Sequence, residues 1–169
     1  EDLIKLLKFI SKEKIEIFFM GSGSNLLISD KGFDGVIVSL KKSFKNFEVN
    51  DSLEANIGTG VMLGNMVRLL TKKSAKGLES LVGVPGTLGG ALIMNAGAYG
   101  SEISNYLVSI KVLDLDGNEK TYNKEDIDFS YRFSSICKEE IVIEAKFQFK
   151  KGNLDDISLY SSVSVNFNP

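Results

Sequence analysis

Three short stretches of this chain have residue types at a spacing that could do chemistry: GSGSNL at Gly21 to Leu26, the glycine-rich run from Gly77 to Gly100, and Tyr131-Arg132-Phe133-Ser134. In the second, Gly83, Gly86, Gly89, Gly90, Gly97 and Gly100 carry no Cβ to hold a ligand away from the main chain. Their N–H groups can therefore reach phosphate or carbonyl oxygens directly, and Pro85 stiffens the approach. A P-loop would close with Gly-Lys-Ser/Thr, but Gly89 and Gly90 are followed by Ala91 and Leu92, so Walker chemistry is excluded. Gly21-Ser22-Gly23 opens like a Rossmann fingerprint. The third glycine position is Leu26, however, Asn25 to Ser29 reads as strand rather than helix, and Lys41 and Lys42 stand where a ribose-binding acid belongs. The pattern instead predicts a strand-turn-strand loop in which the N–H groups of Gly21 to Asn25 form a nest for an anion; a simple tight turn is the plainer alternative.

Arg132 and Arg68 are the two arginines in a chain rich in lysine. A guanidinium fork binds a carboxylate or phosphate at two points, which lysine cannot imitate. A surface arginine paired with Asp126 or Asp128 is the plainer reading of Arg132. With no histidine anywhere, triads built on Ser-His or Cys-His are ruled out. Hard chemistry has to come from a cofactor, or from Tyr, Lys, Ser and carboxylates. Cys137 is alone, so no disulfide framework forms within the chain, and a reducing, cytoplasmic setting is expected. A net charge of -2 and a pI near 5.3 lack the basic footprint of a nucleic-acid binder. No apolar run has the length of a membrane span, and the start at Glu1-Asp2 shows no targeting pattern, so no membrane insertion is expected.

Together, VPGTLGGALIMNAGAYG, GSGSNLLISDKGFDGVIV and YRFS resemble the UDP-N-acetylenolpyruvoylglucosamine reductase family, also called UDP-N-acetylmuramate dehydrogenase. The likeness runs from Glu1 to Lys150. The motifs agree in order and spacing, and the wider flavin-oxidase fold lacks NAGAYG followed by YRxS. The resemblance implies an α+β, two-subdomain FAD-binding fold of the vanillyl-alcohol-oxidase type, with FAD as cofactor and NADPH as hydride donor. The implied reaction converts UDP-N-acetylglucosamine enolpyruvate, a UDP-sugar, to UDP-N-acetylmuramate for peptidoglycan synthesis. Carried over residue by residue, it places FAD against Gly21, Ser22, Gly23, Ser24, Asn25, Leu26, Pro85, Gly86, Gly89, Gly90, Asn95, Ala96, Gly97, Ala98 and Gly100. Tyr131 and Arg132 fall in the substrate pocket, Arg132 near the enolpyruvyl carboxylate.

The tail SSVSVNFNP is similar to the family's SAGSxFKNP segment and puts Ser164 in the role of proton donor. It departs from that pattern at Val163, which stands for glycine, and at Asn166-Phe167. The family's third domain, its catalytic glutamate and its first strand are not matched. A flavin- or nucleotide-binding module without turnover of its own is therefore the alternative. The implied division is a first subdomain over 1–45, incomplete at its start, a second over 46–155, and the beginning of a substrate domain over 156–169. A break in the chain after Tyr160 is also expected.

The elements that must position these stretches read as follows. Leu3, Leu6, Leu7 and Ile10 lie at helical spacing over Glu1 to Ser11. Ile15 to Met20 and Val36 to Leu40 read as buried strands, with a glycine-bounded turn over Asp30 to Gly35. Lys41 to Asn46 is a polar boundary. Phe47 to Ile57 is a hairpin around Asn50-Asp51, and Val61 to Lys73 is a helix with Met62, Met66, Val67 and Leu70 on one face. Leu107 to Leu115, a turn at Asp116-Gly117, and Glu119 to Tyr122 form a second hairpin. Lys124 to Phe129 is a short helix or turn. In Ile141 to Phe149, Ile141, Ile143, Ala145, Phe147 and Phe149 should face inward and Val142, Glu144, Lys146 and Gln148 outward.

Overall fold

A computed structural model describes residues 2–153 of the chain. The tail segment with Ser164, and the break expected after Tyr160, lie outside the described residues. The amino-terminal helix α1 covers Asp2–Glu13, with Asp2 in its first turn and Lys12 in its last, both favourable to the helix dipole. It buries Leu7 and Ile10 and half-buries Leu3 and Ile4. Leu6 turns outward, because the packing stripe runs through Ile4, whose side chain abuts the Gly117 turn.

After α1, β1 (Ile17–Met20) pairs in parallel with β2 (Val36–Ser39). A parallel pair needs a long crossover, supplied here by residues 21–35. Within it Asn25 to Ser29 is not a strand, contrary to the sequence pattern: Leu27 is 100% exposed and Ile28 56%. No ladder forms on the apolar Leu26-Leu27-Ile28 run even though each strand of the β1–β2 pair has its outer edge unpaired among the described residues, since strand propensity counts only where a partner and a packing face come with it. Both strands are half-buried rather than buried, with Phe18 and Ile37 facing outward.

Five antiparallel strands form the main sheet. In spatial order they are β3 (Phe47–Val49), β4 (Glu54–Gly58), β7 (Ile141–Gln148), β5 (Leu107–Leu113) and β6 (Glu119–Asn123). Both expected hairpins are present. The last strand sits at the centre, so Phe147 and Ala145 are fully buried between β4 and β5. Its alternation is broken. The register against β5 slips between Val142 and Glu144, a bulge that turns Val142 into the main core with Phe147 while Ile141 and Ile143 pack with Leu7 and Leu113. One strand thus serves two cores, one under α2 (Leu63–Lys72) and one under α1.

Helix α2 buries Leu63, Met66, Val67 and Leu70. Met62, expected on that face, lies one residue outside the helix and bridges to Thr87. Beyond it, α3 (Leu88–Ile93) buries Leu88, Ala91 and Leu92 in the same core. The short helix or turn expected after β6 is a 3-10 turn at Lys124–Asp126, closed by a capping box between Asn123 and Asp126.

Candidate functional site

Packing α3 against the sheet brings its start beside the turn after β1. The N–H of Gly89 donates to the Thr59 carbonyl at 2.9 Å, and that of Leu88 to the Val61 carbonyl at 2.8 Å. The Thr59 hydroxyl, itself buried, donates to the Val142 carbonyl at the bulge. Thr87 caps α3, its Oγ1 facing the N–H of Gly90 at 3.5 Å. Gly89 is close enough to the sheet that a Cβ on it would stand 3.2 Å from the Cβ of Thr59. These contacts hold Pro85 to Gly90 at the wall of a cleft.

Residues 21–26 form the facing wall. A Cβ on Gly21 would collide with Oγ1 of Thr87, so only glycine lets the two walls approach this closely. Gly86, at φ 135°, sits where a Cβ would reach 3.3 Å from the Ser24 hydroxyl, and that hydroxyl donates to the Pro85 carbonyl at 3.2 Å. Among the described residues, the N–H groups of Gly21 to Asn25 donate no hydrogen bond within the chain. This row of unspent donors on one glycine wall, facing the other, could serve as an anion cradle.

Beyond α3 the chain turns back on itself, Gly97–Ala98 pairing with Ser101–Glu102. The side-chain amide of Asn95, 3% exposed, donates to Glu102 Oε2 at 2.8 Å and to the Ser130 carbonyl at 3.2 Å. Both partners are acceptors, which fixes the amide orientation and leaves the buried Oδ1 without a donor. Ser130 belongs to a small hairpin in which Phe129–Ser130 pairs with Phe133–Ser134, and Tyr131 and Arg132 form its tip. Tyr131 is 87% exposed. Asn95, Tyr99 and Arg132 all hold left-handed φ, at 41°, 51° and 55°. Such conformations cost energy in residues with side chains, and they gather where a site over-determines the backbone.

All these parts line one cleft of about 1270 Å³. Sites for drug-sized ligands span ~300–1,000 Å³, so this one suits something larger, such as a dinucleotide. Every described residue proposed from the sequence as a ligand contact lies on it: residues 21–26, Pro85, Gly86, Gly89, Gly90, residues 95–98, Gly100, Tyr131 and Arg132. Arg132 forms no ion pair with Asp126 or Asp128 among the described residues. Its Nη2 donates instead to Asn25 Oδ1 at 2.9 Å, across the mouth of the cleft.

Sequence reasoning missed Thr59, Thr87, Glu102 and Glu140, which also line the cleft. Thr87 had a signal, a threonine three residues before Gly90 at a helix start. Glu140 had none, since its place depends on the sheet. It accepts from Tyr122 Oη at 2.9 Å and from Lys120 Nζ at 3.1 Å. The hydrogen bond to Glu140 is the main reason that both the Tyr122 phenol and the Lys120 ammonium hold their protons above their ordinary range.

The family of FAD binding domains matches residues 1–122. A UDP-N-acetylenolpyruvoylglucosamine reductase of Clostridioides difficile (strain 630) is 39% identical over 158 residues, covering 93% of this chain and 52% of that protein. A protein of the same name from Rickettsia bellii (strain RML369-C) is 38% identical over 157 residues, with the same shares. The chain thus spans about half the length of the curated relatives it matches. Among solved structures, a UDP-N-acetylenolpyruvylglucosamine reductase from Thermus caldophilus aligns with TM-score 0.79 and 28% identity, covering 96% of this chain and 58% of that one. A 6-hydroxy-D-nicotine oxidase from Arthrobacter nicotinovorans aligns with TM-score 0.64 at 17% identity, over 89% of this chain and 34% of that one, which is a likeness of fold alone.

Proposed function

The chain belongs to the FAD-binding-domain family, with FAD as its cofactor and an α+β fold of the vanillyl-alcohol-oxidase type, and on that premise we propose that it is the FAD-holding part of a UDP-N-acetylenolpyruvoylglucosamine reductase. The reaction is the NADPH-driven reduction of UDP-N-acetylglucosamine enolpyruvate, a UDP-sugar, to UDP-N-acetylmuramate, a step of peptidoglycan synthesis in the cytoplasm. No helix among the described residues is long and apolar enough to cross a membrane. The observation that carries the reading is the meeting of three sequence motifs, 107 residues apart at the Asn25–Arg132 contact, on one cleft. The 39% identity to a reductase of that name supports this reaction.

The residues present fit the cofactor. The unspent N–H groups of Gly21 to Asn25 suit its pyrophosphate, and the glycine wall at Gly86, Gly89 and Gly90 leaves room for the main chain to approach it. Asn95, Ala96, Gly97, Ala98 and Gly100 continue that wall. FAD supplies the two-electron hydride chemistry that this histidine-free chain lacks. The protein's part is to bind, orient and stabilise charge. Arg132 faces the enolpyruvyl carboxylate and offsets negative charge that develops there, and Tyr131 contacts the same substrate. Ser164, as donor of a proton to the substrate carbon, belongs to the same proposal.

A second reading is a flavin- or nucleotide-binding module without turnover of its own, since unspent N–H groups facing a glycine wall hold a cofactor without requiring a reaction. Steady-state turnover of the intact protein with NADPH and the enolpyruvyl substrate separates the two. The reductase reading expects substrate-dependent NADPH oxidation; flavin binding without any turnover would select the module.

A further inference from the structure

We infer that Asn25, through its side-chain oxygen, is a positioning residue that holds the guanidinium of Arg132 over the cleft. This rests on the assignment of Arg132 to the substrate carboxylate made above. The hairpin that carries Arg132 is anchored at its base on both strands. Asn95 donates to the Ser130 carbonyl at 3.2 Å on one strand, and the Ser134 hydroxyl donates to the Ile93 carbonyl at 3.0 Å on the other. The tip has no such support. Tyr131 is 87% exposed, Arg132 is exposed, and φ of 55° at Arg132 sets where its side chain leaves the turn.

A long arginine in that position samples many rotamers unless its head is tied. The tie is the 2.9 Å hydrogen bond from Nη2 to Asn25 Oδ1, the one link from the hairpin tip to the opposite wall among the described residues. An Asn carbonyl accepts without adding a negative charge, which an aspartate would bring into the anion cradle. It also engages only part of the fork, leaving the remaining N–H groups of the guanidinium for a two-point hold on a carboxylate. The division of labour within one residue follows. The main-chain N–H of Asn25 serves the cradle, and its side chain serves the arginine.

The test uses the intact FAD-loaded protein with Asn25→Ala, Asn25→Gln and Arg132→Lys, alone and combined. Relaxation of the assigned Arg132 Nε–H by NMR reports the order of the head independently of turnover. Asn25→Ala should free that head and lower kcat/KM on the order of tenfold, as expected of a misplaced but intact catalytic group. Flavin occupancy is measured by titration for each variant, and kcat/KM is compared at full occupancy. Asn25→Gln, which keeps the acceptor, should recover much of the loss, and Asn25→Ala should add little on top of Arg132→Lys. Equal order of the Arg132 head in wild type and Asn25→Ala, or an undiminished additional loss on top of Arg132→Lys, overturns the inference. If Arg132→Lys keeps full turnover while Asn25→Ala still frees the head, the substrate assignment of Arg132 falls and the hold by Asn25 stands.

Discussion

At the scale of residues, small changes at the cleft should separate flavin binding from turnover. Arg132→Lys keeps a charge but loses the planar fork. In the intact protein it should lower kcat on the order of a hundredfold and leave FAD affinity alone. Steady-state kinetics beside a flavin titration checks this; loss of FAD with unchanged kcat would give the arginine another job. Gly21→Ala should act the other way round, because its Cβ meets Oγ1 of Thr87 and forces the two walls apart. FAD affinity should drop, and adding Thr87→Ala should restore part of it at the cost of the α3 cap, typically ~1 kcal/mol. A Gly21→Ala protein with normal FAD affinity would show that the walls need not be so close. The glycines and YRFS were legible because each needs only local spacing. Thr59 and Glu140 were not, since their place on the cleft depends on the central strand and its bulge.

At the scale of elements, the central strand backs the cleft through the Val142 carbonyl that accepts from Thr59, and it should be the most sensitive. Phe147 is fully buried, and Phe147→Ala should destabilise by about 3–5 kcal/mol. Denaturant unfolding measures it, and a loss under about 1 kcal/mol would mean that the core collapses around the gap. The β6 edge should show itself at alkaline pH. Tyr122 and Lys120 both hold their protons more tightly when folded, chiefly through Glu140, from ordinary values of 10.0 and 10.5. A raised pKa stabilises the fold below the unfolded value and is lost as pH rises through the folded one. The thermal midpoint of wild type should therefore exceed that of Glu140→Gln at pH 7 to 9, with the gap narrowing above pH 10. A gap that widens there would contradict the assignment. Hairpins, α1 and α2 were legible from periodicity and turn residues. The failure at Asn25 to Ser29 has a physical cause, because strand propensity counts only where side chains find a face to pack on, and Leu27 and Ile28 stay exposed. The broken alternation of β7 could not be read either, since Ile141 and Val142 answer to two different cores.

At the scale of the whole molecule, a two-stranded parallel unit and a five-stranded antiparallel sheet meet so that two glycine-rich turns face each other. The crossover from β1 to β2 provides one wall, and the segment from α2 to α3 provides the other. Neither wall is a site alone. The central claim is that this cleft holds FAD, and a titration of flavin-stripped intact protein with FAD tests it most directly. Visible absorption and flavin fluorescence should both shift on saturable binding, and the thermal midpoint should rise with FAD concentration as for any ligand that binds only the folded state. Gly21→Ala should need more FAD for the same rise. A protein whose added FAD keeps the spectrum and fluorescence of free flavin, with no gain in thermal midpoint, would contradict the account.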